Sequence, residues 1–397
     1  MSILIPKDMD TTEYIDTKEE IDFKVQKLAE LLTSSKKTIC FTGAGISTST
    51  GIPDYRSGYN TILATGPGAW ETEENKLKHT KEKVRVEPRK AIPSKTHMAL
   101  SELVSRGLIS YIVTQNVDGL HRKSGVPEHK LTELHGSGVK EICKNCQKEY
   151  FRDFAVRDRQ NLIDHKTLRN CDNCGGSLYV SVVLFGQPIR SIDKAKAVKE
   201  AEDSDFCLVL GSSLRVPPAS RYPKKFINDP NKKLAIINLQ KTYLDEKCEI
   251  RIGSLCDDVI ELLMQKLAIP IPEFKVKRWF SFQVTQGLEY STLKMKNYNQ
   301  DRVEFSAIKE AEIDIHAQKS LDFVDLEGDR LEYKFNGNLH HLICKLKFYG
   351  NYDEPDLILG EDWGELWEPL SNGREIVVQA EFCLQKKNWQ VIQGQII

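Results

Sequence analysis

The chain has 397 residues, 40% hydrophobic content and a formal net charge of -1. That length suits two or three domains at about 100–200 residues each, and the apolar fraction suffices for packed cores. A near-neutral chain has no global field drawing it to nucleic acid or an anionic membrane, so no direct nucleic-acid site is expected. No apolar run approaches the ~18 residues of a membrane helix, and residues 1–8 lack a basic segment followed by a sustained apolar stretch, so neither membrane insertion nor secretion is expected.

Ten cysteines are present. Four form two Cys-x-x-Cys pairs, while Cys40, Cys207, Cys248, Cys256, Cys344 and Cys383 are scattered, several in apolar runs. The pattern reads as metal binding plus buried thiols in a reducing compartment, the nucleus or the cytosol.

In chain order, Ile21, Val25, Leu28 and Leu32 recur at helical spacing and predict an amphipathic helix over 19–34. Thr38 to Thr42 predicts a buried strand entering a glycine turn. Short apolar strands at 108–113, 205–210 and 234–238 alternate with helical patterns, which predicts an α/β fold, a Rossmann-like parallel sheet with helices on both faces. Residues from about 139 to 180 interrupt that alternation with the cysteine pairs and predict a small inserted zinc-ribbon domain. Beyond Pro270-Ile271-Pro272 the texture becomes strand-like, at 279–285, 303–308, 339–349 and 376–384, with a hairpin turn at 326–330. The division expected is a catalytic domain over 1–274 carrying the insert, then a β-sandwich-like accessory domain over 275–397. A chain ending near Ile271 is expected to stay folded and active on short peptides.

Gly43-Ala44-Gly45-Ile46-Ser47 follows a strand and is expected to open a helix whose amides meet a pyrophosphate. A bare strand–helix turn would also account for the glycines. A hydride-transfer fold prefers a third glycine where Thr48 stands, which counts against an ordinary dehydrogenase. Thr114-Gln115-Asn116-Val117-Asp118 follows another strand. Amide side chains bond ribose hydroxyls and a carboxylate accepts from a carboxamide, so this set suits a nicotinamide–ribose pocket. Cys143, Cys146, Cys171 and Cys174, two pairs separated by 24 residues, form a closed four-thiolate set that holds zinc structurally, with no open position for water.

These pieces, with Leu134-His135-Gly136 just ahead of the first cysteine pair, resemble the sirtuin family over roughly residues 15 to 268. The resemblance implies an NAD-dependent protein-lysine deacylase with NAD and structural zinc as its cofactors. By it, the acyl oxygen of a substrate lysine attacks the nicotinamide-bearing ribose carbon, nicotinamide leaves, and His135 takes a proton from a ribose hydroxyl as lysine and O-acyl-ADP-ribose form. An imidazole suits that task because its ordinary pKa lies near 6.5. Gly51 to Ser57 is similar to the family's cofactor loop, implying Asp54 and Tyr55 beside the cofactor and Arg56 on a phosphate; Tyr55 stands where most relatives carry phenylalanine. Gln115 is implied on the ribose, and Asn116 and Asp118 in the nicotinamide pocket, Asn116 in a catalytic role. Gly211, Ser212 and Ser213, then Asn238, Leu239 and Cys256, are implied on the adenosine side.

Val182 to Gly186 resembles the strand that pairs with the substrate peptide, although Gln187 replaces the usual glutamate. Ala91 to Leu100 and Ile237 to Thr242 are closest to the class IV branch, which implies a nuclear enzyme acting on an acylated-lysine protein such as a histone. His97, His121 and His129 read as structural. Two other functions fit parts of the pattern: mono-ADP-ribosyl transfer by the same site, and a non-enzymatic chromatin scaffold binding through the C-terminal domain.

Overall fold

The computed structural model describes residues 10–156, 165–299, 304–315, 324–325, 330–339, 341–360 and 364–396. Of the expected turn at 326–330, residues 326–329 lie outside them, as do residues 361–363. Strands follow the chain as β1 (Thr38–Thr42), β2 (Tyr111–Thr114), β3 (Leu131–Glu133), β4 (Lys140–Cys143), β5 (Glu149–Arg152), β6 (Lys166–Asn170), β7 (Ser177–Val180), β8 (Phe206–Leu210), β9 (Lys233–Ile237) and β10 (Ile250–Ile252). Then come β11 (Val276–Thr285), β12 (Ser291–Tyr298), β13 (Phe305–Ser306), β14 (Ile308–Ile315), β15 (Val324–Asp325), β16 (Arg330–Phe335), β17 (Leu342–Phe348), β18 (Leu357–Leu359), β19 (Ile376–Cys383) and β20 (Asn388–Ile396).

The chain falls into two compact units, Met1–Ser137 with Val182–Phe274, and Gly138–Ser181 with Lys275–Ile397. The first holds a six-stranded sheet in the order β10-β9-β8-β1-β2-β3. All five pairings are parallel. Side chains alternate between its faces: Cys40, Phe206, Leu208 and Leu210 enter one core, while Ile39, Phe41, Cys207 and Val209 enter the other. Burial on both faces explains why these strands read as unbroken apolar runs.

Helix Lys18–Ser34 covers the first face with Val25, Leu28 and Leu32. It begins at a capping box in which Thr17 accepts from the Glu20 amide and Glu20 accepts from the Thr17 amide. Helices Lys95–Ser105 and Cys256–Lys266 join it there. Helix Ser191–Asp203 supplies Ala197 and Ala201 to the opposite core.

In the second unit, β16-β12-β11-β19-β20 and β15-β14-β17-β18 enclose one apolar core containing Phe280, Met295 and Val378 from the first sheet and Ile313, Leu346 and Leu359 from the second. Burial alternates along β12, β17 and β19, as in a sandwich with one wet face per sheet. The insert forms its own sheet, β13-β5-β4-β7-β6. Its edge strand β13 comes from the C-terminal segment, with Phe305 opposite Phe151 and Ser306 opposite Arg152. The insert falls in one compact unit with the C-terminal strands, and this pairing and the polar bonds around it join segments about 150 residues apart. Among the described residues, no helix is long and apolar enough to cross a membrane.

Candidate active site

Strand register brings the sequence motifs of the first unit together. Thr42 pairs with Thr114 and Leu210, Leu210 with Ile237, and Thr114 with Glu133, so the carboxyl ends of five neighbouring strands finish level. Gly43, Gln115, Gly211, Asn238 and Leu134 therefore begin their loops side by side. Strand order reverses between β1 and β8, the crevice where open parallel sheets take ligands.

The two glycine loops touch at that point. Gly43 N–H donates to the Leu210 carbonyl at 3.0 Å and Gly45 N–H to the Gly211 carbonyl at 2.9 Å. A Cβ at Gly45 would lie 2.7 Å from Gly211 Cα, so no larger residue fits without moving backbone. Instead of the expected helix, the chain makes two 3-10 turns, Ala44–Ile46 and Thr48–Thr50. Thr48 Oγ1 donates to the Gly45 carbonyl at 3.1 Å and Thr50 Oγ1 to the Ser47 carbonyl at 2.7 Å, side-chain bonds that compete with a continuous helix.

Asn116 is buried beside this turn. Its Nδ2 donates to the Gly43 carbonyl at 3.1 Å and to Ser47 Oγ at 3.3 Å, while Ser47 Oγ donates to Asp118 Oδ2 at 2.7 Å. Asp118 Oδ1 accepts the Leu120 amide at 2.9 Å. The array fixes the Asn116 amide and leaves an acceptor-rich carboxylate next to it, a donor–acceptor set that suits a carboxamide ligand.

Beneath lies a support layer. Thr42 Oγ1 donates to Thr114 Oγ1 and contacts His121 Nε2, both at 2.8 Å, and the His121 ring meets the His97 ring edge-on at 4.9 Å. Burial pushes both imidazoles down to about 3, so both are neutral at physiological pH. His129 is exposed.

His135 follows β3, and its Nδ1 lies 3.0 Å from the Gln115 carbonyl oxygen. A carbonyl only accepts, so Nδ1 carries the proton and Nε2 holds the lone pair. Burial lowers the imidazole pKa below its ordinary value, with the Gln115 carbonyl acting against it. The His135 carbonyl accepts the Val183 amide at 2.9 Å, tying it to the Val182–Gly186 segment expected to meet a peptide; that segment is not a strand here and ends in a turn in which the Gln187 amide donates to the Leu184 carbonyl at 3.0 Å. Gln115 reaches the other way: its Oε1 accepts from Ser212 Oγ at 2.8 Å.

The loop holding Asp54, Tyr55 and Arg56 is braced internally. Burial raises the Asp54 carboxyl against bonds from Ser57 N at 3.1 Å and Ser57 Oγ at 2.6 Å. Burial, then the neighbouring Arg215, brings Arg56 down to about 10, which leaves it cationic. Its guanidinium lies 4.3 Å over the Trp70 ring, and Trp70 also packs against Tyr55 at 4.7 Å and Phe185 at 5.1 Å. Trp70 is absent from the sequence-based set, although an aromatic directly after Gly66-Pro67-Gly68-Ala69 is a usable signal. Gln240 was also missed; its Nε2 donates to the Arg56 carbonyl at 3.1 Å.

On the other flank, Ser213 follows β8 and Asn238 and Leu239 follow β9. Asn238 Nδ2 turns onto the Gln240 carbonyl at 2.8 Å. Cys256 begins a helix with its thiol in the core, 3.9 Å from the Ile237 carbonyl. Any contact of Cys256 with a ligand is therefore through backbone.

In the second unit, Cys143, Cys146, Cys171 and Cys174 bring their sulfurs within 4.8 Å of one another. The closest approaches, Cys143 to Cys174 at 3.4 Å and Cys146 to Cys171 at 3.5 Å, are far longer than a disulfide. Zn–S bonds of about 2.3 Å in a tetrahedron put sulfurs about 3.8 Å apart, so the set fits a structural zinc with four protein ligands. Tyr150 Oη donates to Cys171 Sγ at 3.0 Å, orienting one ligand from outside the cluster.

Residues 43–218 match the Sir2 family model. NAD-dependent protein deacetylase SRT1 of Arabidopsis thaliana is 37% identical over 281 residues, 70% of this chain and 56% of its own length. NAD-dependent protein deacetylase sirtuin-7 of Homo sapiens is 36% identical, over 67% of this chain and 65% of its own. The chain thus spans between about half and two thirds of these relatives. An NAD-dependent protein deacetylase of Caldivirga maquilingensis is 36% identical over 255 residues, 61% of this chain but 93% of that protein. With nearly the whole of that relative matched, and the glycine loops, the Gln115–Asp118 segment, His135 and four cysteines in place, the chain belongs to the Sir2 family.

Proposed function

We propose that the chain is an NAD-dependent protein-lysine deacylase that releases nicotinamide and O-acyl-ADP-ribose. The observation that carries this reading is the Gln115 bridge: its carbonyl sets the His135 tautomer and its side chain binds Ser212 of the second glycine loop. The donor set also fits the co-substrate: two glycine loops in backbone contact, a cationic Arg56, and the Asn116–Ser47–Asp118 array.

NAD, when bound, supplies the ribose carbon that takes up the acyl oxygen as nicotinamide departs. Asp118 and Asn116 would hold the carboxamide end, and Arg56 a phosphate oxygen. The loops that carry Gly43, Gly45, Ser47, Asp54 and Tyr55 close one side, while Gly211 to Ser213, Asn238, Leu239 and Cys256 take the adenosine side. His135 Nε2, which holds the ring's lone pair, would accept the ribose hydroxyl proton. Trp70 keeps Tyr55 and Arg56 against the Phe185 segment, so cofactor and peptide loops are held in register. Orientation, exclusion of water and one base are what the protein contributes.

The substrate is an acylated-lysine protein that adds along Val182–Gly186 as an extra strand. Resemblance to the class IV branch supports a nuclear location and a histone or other nuclear target. Mass spectrometry of acetyl-, longer-acyl- and unmodified-lysine peptides incubated with NAD tests the proposal. Deacylated peptide with O-acyl-ADP-ribose is expected; ADP-ribose left on a protein side chain identifies transferase activity instead.

A further inference from the structure

We infer that the C-terminal β domain is the other half of the metal module, and that zinc retention depends on the Asp153–Arg278 junction. The inference rests on the four-cysteine cluster holding zinc.

Asp153, just after β5, is bound by three separate C-terminal elements. Its carboxylate takes the Arg278 guanidinium of β11 at 2.6 Å, its amide donates to the Ser306 carbonyl of β13 at 2.9 Å, and its carbonyl accepts from Asn351 Nδ2 at 2.7 Å. Both charged side chains are almost fully buried, at 7% and 5% exposure. Arg278 also lies 3.9 Å from the Glu354 carboxylate and sits over the Phe305 and Phe348 rings. A charge pair this deep is costly to break from one side, because the remaining partner has no water to turn to. A tail that merely hung beside the insert would not bury one.

From this junction a polar ladder runs to the metal ligands. Arg152 donates to Ser306 Oγ at 2.6 Å and to Glu141 at 2.8 Å, and Glu141 in turn accepts from Arg169 at 2.9 Å. Glu141 lies two residues before Cys143 and Arg169 two before Cys171, so the ladder clamps β4, which ends in Cys143, and β6, which ends just before Cys171. A second link passes through Lys148, which bonds Asp172 at 2.8 Å beside Cys171 and Glu304 at 3.4 Å beside β13. Outer groups that position metal ligands control how long the metal stays. Conversely, without metal the four cysteines have no shared ligand and β4 and β6 lose their common anchor, so the seat of β13 loosens. Zinc binding and docking of the C-terminal domain are thus one equilibrium.

The test uses the full-length chain. Zinc is first measured by elemental analysis; then hydrogen exchange is compared before and after extraction by a strong chelator. Loss of protection is expected in 140–180 together with 276–285 and 305–315. A folded Arg278→Leu chain is expected to release zinc to a chromogenic chelator roughly tenfold faster than wild type or more, the usual scale for outer-shell changes. Should that variant not fold, the exchange comparison decides alone. Exchange changes confined to 138–181, or unchanged release from folded Arg278→Leu, would overturn the coupling. Absence of zinc from the fresh protein would overturn the metal reading itself, a different result from zinc present but uncoupled.

Discussion

His135 Nδ1 donates to the carbonyl of Gln115 at 3.0 Å, and that bond leaves Nε2 as the ring's only basic atom. Replacing His135 with alanine removes the base but none of the cofactor contacts assigned to the glycine loops. Deacylation should fall by about 10²–10⁴-fold, the usual contribution of a positioned base, while NAD binding by calorimetry stays within a factor of a few. Near-wild-type turnover would remove His135 from the mechanism.

The same burial sets a pH dependence. His135 is held below the ordinary imidazole value, so its neutral, basic form persists to lower pH than a solvated histidine would allow. Activity is fully present above the lowered pKa and is lost as pH falls through it. The acid limb of kcat/KM should have its midpoint below about 6.5. A midpoint above 7 would contradict this environment.

Asp118 accepts from Ser47 and from the Leu120 amide, so it is fixed before any ligand arrives. Asp118→Ala should weaken NAD binding and nicotinamide inhibition together, each by about 2 kcal/mol or near thirtyfold, as expected for one charge-assisted hydrogen bond. Titration of both ligands checks it; a change in one alone would mean that Asp118 does not hold the carboxamide.

His97 and His121 give a stability prediction. Their folded-state values near 3 lie below the unfolded value near 6.5, so the unfolded chain binds more protons between these limits and stability falls as pH drops through that window. Each group contributes a slope of up to about 1.4 kcal/mol per pH unit. Urea midpoints at pH 7 and pH 5 should differ more for wild type than for a His97→Gln chain; equal differences would mean that His97 is not titrating on unfolding.

Much of the first unit was legible because its signals are local. Thr38–Thr42 is a strand as read, and Val25, Leu28 and Leu32 are the buried stripe of their helix. The loops were visible as motifs, but their assembly depends on register, which pairs Thr42 with both Thr114 and Leu210 and leaves no mark in either segment alone. The 3-10 turns replaced a helix because Thr48 and Thr50 bond backward to backbone, a competition that residue type permits without dictating. Trp70 escaped notice because an aromatic is core more often than clamp. The union of insert and C-terminal strands was invisible, since a two-residue parallel pairing between Phe151-Arg152 and Phe305-Ser306 has no periodicity to read.

Exchange of labelled nicotinamide by His135→Ala most directly tests the central claim, that nicotinamide departs before His135 acts. With acetyl-lysine peptide and NAD present, the variant should incorporate labelled nicotinamide into NAD while freeing almost no lysine, whereas wild type does both. A variant that loses exchange along with deacylation, or one that frees lysine without any nicotinamide exchange in either protein, would contradict the assigned order of steps and the role of His135.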